Sequence, residues 1–221
     1  MSVTIRLASE DDAAQIQFIY APYCLHTPIS FEEAAPDEAE MRQRIRKVGA
    51  RFPWLVCDRG GEVLGYVYGG VHRGRAAYRW SVEVTAYIHQ RHHRHGIGRA
   101  LYTSLFRILI LQGFYNAFAG ITLPNPGSVG LHEALGFRPI GVYTAIGFKL
   151  GLWHDVGWYQ LELQPRPATP AEPRAIRAIR NALGWEEALV AGLPLLRVPE
   201  STCSQDQEHA LSASDGPCHA Y

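Results

Sequence analysis

The stretch "YIHQRHHRHGIGRALYTSLF", Tyr87 to Phe106, constrains this chain more than any other. A strand-like run enters a cluster of histidines and arginines. Two glycines follow, separated by one residue, and then an apolar pattern with helical spacing begins. A helix N-terminus offers unpaired N–H groups and the positive end of the macrodipole. Glycines let a ligand approach that backbone closely. The junction therefore reads as a cradle for phosphate groups, with Arg91, Arg94 and Arg99 adding fixed charge. It is not a P-loop, because no Gly-Lys-Ser/Thr follows. It is not a Rossmann fingerprint either, because Leu101 stands where the third glycine belongs. The plainer alternative is a turn that needs glycine beside a solvated basic face. His89, His92, His93 and His95 invite a metal reading. His92 and His93 are adjacent, however, and no carboxylate or cysteine sits at ligand spacing, so no metal is expected.

Composition narrows the partners. The 221 residues carry 21 Lys+Arg against 21 Asp+Glu, a formal net charge of zero. Binding to nucleic acid or to a membrane through bulk charge is not expected. No apolar run is long enough to span a bilayer, and the first residues lack the apolar core of a signal peptide. Cys24, Cys57, Cys203 and Cys218 are scattered and read as reduced thiols, which suits the cytoplasm.

The order of elements implies an α/β (α+β) chain. "VTIRLA" (3–8) alternates like a strand, and a helix follows from Ser9. Residues 36–50 read as a second helix, and 53–71 as a hairpin turned at Arg-Gly-Gly. A long strand spans 77–89, a helix 98–112, a strand 115–122 and a short helix 125–137. Two last strands occupy 139–163. Residues 164–173 hold four prolines and read as a linker. Segment 174–192 fits one amphipathic helix with Ile176, Ile179, Leu183 and Val190 on its stripe. The remainder, 193–221, reads as a disordered tail, polar and aperiodic from Pro199. One domain over 1–163 is expected, with these segments as an extension.

His93-Arg94-His95-Gly96-Ile97-Gly98 resembles the pyrophosphate loop of the GNAT acetyltransferases. "RFPWLV", "GEVLGYVY", "AYRWSVEVTAYI", "LPNPGSVGLHEALGF" and "GFKLGLWHDVGWYQLEL" resemble one branch, the phosphinothricin and methionine sulfoximine N-acetyltransferases, over about residues 3–163. The resemblance implies a mixed, twisted seven-stranded sheet flanked by helices, with acetyl-CoA held where the central parallel strands splay. It implies that the backbone of Ala86, Tyr87 and Ile88 pairs with the pantetheine arm, with an N–H near Tyr87 as oxyanion donor. The amides of Arg94, His95, Gly96, Ile97, Gly98 and Arg99 would hold the pyrophosphate. Asn125 and Ser128 would reach the cofactor arm. Position 93 departs from the pattern, with His where Gln or Arg is usual. A small amino-acid acceptor would meet Phe31, Arg75, Glu83, Val84 and Thr85, and the chain would be a homodimer through its last strands.

Acetyl transfer to an amine needs a base, because a primary amine is largely protonated at neutral pH. Glu83 fills that place in the resemblance. On its own terms it is an acid in an apolar strand, sharing a face with Ser81 and Thr85, while Val82 and Val84 share the other. His132 is the second ionisable candidate. Lys149 and His154 read as structural. The group that protonates the departing thiolate is not singled out. Two alternatives stay open: an acetyltransferase for another amine (an amino acid, a polyamine or a protein N-terminus), and a non-catalytic acetyl-CoA sensor.

Overall fold

A computed structural model describes residues 2–198. Seven strands form one sheet in the order β1-β2-β3-β4-β5-β7-β6. They are β1 (Val3–Leu7), β2 (Trp54–Arg59), β3 (Glu62–Val71), β4 (Ser81–Ile88), β5 (Asn116–Leu123), β6 (Arg138–Lys149) and β7 (Leu152–Glu162). Every neighbouring pair is antiparallel except β4 with β5. Among the described residues the five α-helices are α1 (Ala13–His26), α2 (Glu38–Gly49), α3 (Ile97–Gln112), α4 (Pro126–Ala134) and α5 (Trp185–Val190).

Local chemistry explains the boundaries. Asp37 caps α2 by accepting the Glu40 N–H at 2.8 Å. Asn125 caps α4 by accepting the Ser128 N–H at 3.1 Å. β2 is buried along nearly its whole length, as a strand covered on both faces must be. Its alternate residues feed two cores. Leu55 and Cys57 join α3 on one face, whereas Trp54 and Val56 join α1 and α2 on the other. The strand expected over 77–89 starts only at Ser81, because Ala76–Tyr78 form a 3-10 turn. The Tyr78 N–H donates to the Arg75 carbonyl there.

The extension departs most from expectation. Segment 174–192 is not one helix. A 3-10 turn at Ile176–Ala178 and the short α5 are separated by Gly184, which sits at φ 84°. Ile176 and Ile179 are buried, but Leu183 is 98% exposed, so the four apolar residues share no stripe. Trp185 and Ala188 join the α3 core, and Leu193, Leu195, Leu196 and Val198 pack against it. The disordered tail expected from 193 therefore does not begin there. Its remaining part, 199–221, lies outside the described residues. Among the described residues, no helix is long and apolar enough to cross a membrane.

Candidate active site

β4 and β5 pair over only three residues, Ser81–Glu83 against Asn116–Phe118, and then part. Past Glu83 the two strands enclose a groove of about 620 Å³. Amide direction alternates along a strand. Trp80 takes the Tyr115 and Asn116 N–H groups from the β5 side, whereas the His89 N–H donates to Leu64 on β3. The even-numbered residues Val84, Ala86 and Ile88 therefore turn their N–H groups to the groove. Tyr87 is paired with Tyr66 on β3. This corrects the expectation for Tyr87, whose own N–H faces the sheet.

The groove runs on to the glycine junction. Arg94, Gly96, Ile97, Gly98 and Arg99 line it, as do Thr85, Asn125, Ser128 and His132. His95 is not among the lining residues. Gly96 is the N-cap of α3 at φ 77°, and Arg94 two residues earlier is also left-handed at φ 66°. The loop amides and the α3 N-terminus thus converge on one end of the groove, which fits a pyrophosphate. His93 has a different task. The Tyr23 hydroxyl donates to the Ile88 carbonyl at 2.6 Å, and His93 Nε2 lies 3.0 Å from the Tyr23 oxygen. This triad ties the loop to the end of β4. Tyr23 carried no local signal, because it sits on α1 far from the motif.

Glu83 stands at the fork where β4 leaves β5. Burial raises its pKa, and Arg73 pulls it partly back. His72 Nδ1 lies 3.5 Å from Glu83 Oε2. The His72 ring stacks on Phe118 at 4.1 Å between centroids. Burial, then Arg73, lowers its pKa and keeps it neutral near pH 7. Arg73 also sits over the Trp158 ring and within 3.5 Å of the Tyr143 hydroxyl. Arg75, the arginine singled out by motif, is exposed and makes no side-chain hydrogen bond among the described residues. Val84 belongs to the buried core, on the face opposite Glu83, so its side chain does not share the acid's surroundings.

His132 is buried, and burial lowers its pKa. Its Nδ1 donates to the Ser128 carbonyl at 2.8 Å, which leaves Nε2 to accept from the Tyr102 hydroxyl at 3.2 Å. Tyr102 also lines the groove. Asn125 uses its side-chain oxygen on the α4 cap, so only its amide nitrogen is free to face a ligand.

Lys149 anchors a different wall. It is buried, and its Nζ donates to the carbonyls of Cys24 (2.6 Å), Ser30 (2.5 Å) and Glu32 (2.7 Å). Cys24 stands in the last turn of α1, and Ser30 and Glu32 belong to the loop after it that carries Phe31. Phe31 packs against Gly147, where a Cβ would collide with its ring, and lies 6.3 Å from the His154 ring. The structural reading of Lys149 agrees with this geometry. Among the described residues, no group of three or more His, Cys, Asp or Glu stands where it could hold a metal ion.

Residues 5–158 match the family described as Acetyltransferase (GNAT) domain. The chain belongs to the GNAT acetyltransferases. The Streptomyces viridochromogenes phosphinothricin N-acetyltransferase is 39% identical over 80% of this chain and 94% of its own length. The L-methionine sulfoximine/L-methionine sulfone acetyltransferase of Salmonella typhimurium is 33% identical over 76% and 99%. A GNAT phosphinothricin acetyltransferase from Sinorhizobium meliloti, solved in complex with AcCoA, superposes with a TM-score of 0.73 at 37% identity, covering 79% of this chain and 96% of that one. The expected fold is borne out: the seven-stranded mixed sheet and its splayed β4–β5 pair are the GNAT arrangement.

Proposed function

We propose that this GNAT acetyltransferase moves the acetyl group of acetyl-CoA to the α-amine of a small amino acid of the phosphinothricin or methionine sulfoximine type. Attack is direct, in a ternary complex. The observation that carries the reading is the position of Glu83: a partly buried acid of raised pKa at the fork of β4 and β5.

Glu83 takes the proton from the acceptor ammonium, directly or through a water, and so frees the nitrogen lone pair for attack on the thioester carbonyl. The inward N–H groups of Ala86 and Ile88 are the candidates to hold the developing oxyanion. The loop amides of 94–99 hold the pyrophosphate, and Asn125 and Ser128 border the arm. His132 Nε2 holds the Tyr102 hydroxyl in the groove wall; that hydroxyl turns to the leaving thiolate and gives up its proton, which solvent replaces once the products leave. Arg73 and Arg75, on the loop before β4, supply guanidinium groups for an acceptor carboxylate. Phe31 closes the acceptor side.

The same reading includes a homodimer. Ile140, Val142, Ile146, Phe148 and Trp153 are exposed on the last hairpin, and β6 is an open sheet edge. A cytoplasmic location suits the free, buried thiols of Cys24 and Cys57. Activity of this kind would protect a host from the herbicide phosphinothricin.

The test is turnover of acetyl-CoA against phosphinothricin, methionine sulfoximine, methionine sulfone, common amino acids and polyamines, with products read by mass spectrometry. Preference for the tetrahedral amino acids is expected. Turnover of other amines alone would retain the transferase and discard the acceptor. Bound acetyl-CoA with no product from any amine would leave a sensor.

A further inference from the structure

The chain beyond the family match runs back along α3. It begins at the helix C-terminus, where the Arg174 N–H donates to the Gln112 carbonyl at 2.8 Å. The Gln112 side chain bonds the Arg174 and Arg51 carbonyls in return. Midway, the Gly192 N–H donates to the buried Ser104 hydroxyl at 3.0 Å. Gly192 lies so close to Ala100 that a Cβ would collide with the Ala100 carbonyl. At the helix N-terminus, the Arg197 N–H donates to the His95 carbonyl at 2.9 Å. The Leu195 carbonyl fills the space that a Cβ on Gly96 would need.

The last two contacts fall on the pyrophosphate loop, behind the amides that line the groove. That loop holds two left-handed residues, Arg94 and Gly96, within three positions. Such a conformation is costly for a residue with a side chain, about 1–2 kcal/mol, and persists where its surroundings over-determine it. A carbonyl held from behind fixes the peptide plane whose N–H points forward.

We propose that residues 192–198 are a cofactor-affinity strap, with the Arg197 backbone N–H and the Leu195 carbonyl positioning the pyrophosphate loop of the GNAT domain from outside it. The inference rests on the reading of residues 94–99 as the pyrophosphate cradle. The GNAT match covers residues 5–158, and the strap lies outside it.

The test is acetyl-CoA binding by titration calorimetry on full-length Arg197→Pro, Arg197→Ala and Gly98→Val. Leu196 already has the extended backbone (φ −70°, ψ 137°) that a following proline requires. Arg197→Pro therefore suits the preceding residue, removes the donor and sets its ring Cδ against the His95 carbonyl, so this contact is broken outright. It is expected to weaken acetyl-CoA about three- to tenfold, the range of one hydrogen bond, with the acceptor KM unchanged. Arg197→Ala keeps the N–H and is expected to bind as the parent does. An unchanged Kd for Arg197→Pro, with or without a lower Tm, overturns the strap. Equal weakening in Arg197→Ala overturns it too, because the side chain would then be the acting group. Gly98→Val tests the underlying reading separately: it crowds the cradle, and undiminished binding would discard the cradle itself.

Discussion

His72 Nδ1 faces Glu83 Oε2 at 3.5 Å, with the His72 ring clamped against Phe118. The imidazole is kept neutral by burial and by Arg73, while burial lifts the Glu83 pKa. Nδ1 makes no hydrogen bond among the described residues, so the imidazole acts on the carboxylate as a polar neighbour at 3.5 Å. His72→Phe keeps the stacking and removes the nitrogen. A phenyl ring offers the carboxylate no polar edge, so desolvation deepens and its pKa rises further. The acid limb of kcat/KM is expected to move to higher pH, and a pH–rate profile of the two proteins checks it. An unshifted limb would make His72 a packing residue only.

Tyr102→Phe should leave acetyl-CoA affinity close to the parent's and lower kcat by about 10²-fold, the usual contribution of a positioned proton donor. Steady-state kinetics beside calorimetry separate the two quantities. Equal loss of binding and turnover would assign Tyr102 to the groove wall alone.

Lys149→Met would leave three inward carbonyls without their donor. Unfolding in urea is expected to show a loss of at least about 2 kcal/mol. The Phe31 loop hangs on two of those carbonyls, Ser30 and Glu32, so the acceptor KM should rise more than the acetyl-CoA KM. Equal effects on both would separate the loop from the acceptor.

Ile179 is fully buried in the α3 core, whereas Leu183 is 98% exposed. Ile179→Ala should destabilise the protein by about 2–5 kcal/mol, and Leu183→Ala by less than about 0.5 kcal/mol. Thermal or denaturant unfolding of both decides whether the extension is integral to the domain.

The glycine loop at the mouth of α3 and the acid at the β4–β5 fork were legible in the sequence because each signal is local: charge and glycine stand together in one, and a lone acid interrupts an apolar strand in the other. The contacts missed act at long range. Tyr23 meets Ile88 across 65 positions, and the Tyr102–His132 pair spans 30. Lys149 reaches Cys24 across 125. No periodicity announces such contacts. The extension was misread for a related reason. Its apolar spacing imitates a helix, yet Gly184 at φ 84° interrupts it and core packing selects Ile176 and Ile179 but not Leu183. The emphasis on Arg75 came from motif position, whereas proximity to Glu83 belongs to Arg73.

The central claim is that Glu83 is the base for an amino-acid acceptor. The most direct measurement is kcat/KM for phosphinothricin against pH, for the parent enzyme and Glu83→Gln, with acetyl-CoA affinity measured alongside. The account predicts a loss of about 10²–10³-fold at neutral pH and below. The gap should narrow as pH rises toward the amine's own pKa, where the nucleophile deprotonates unaided, and acetyl-CoA affinity should stay near the parent's. A variant that turns over as fast as the parent at neutral pH, or one that loses acetyl-CoA binding along with activity, would contradict it.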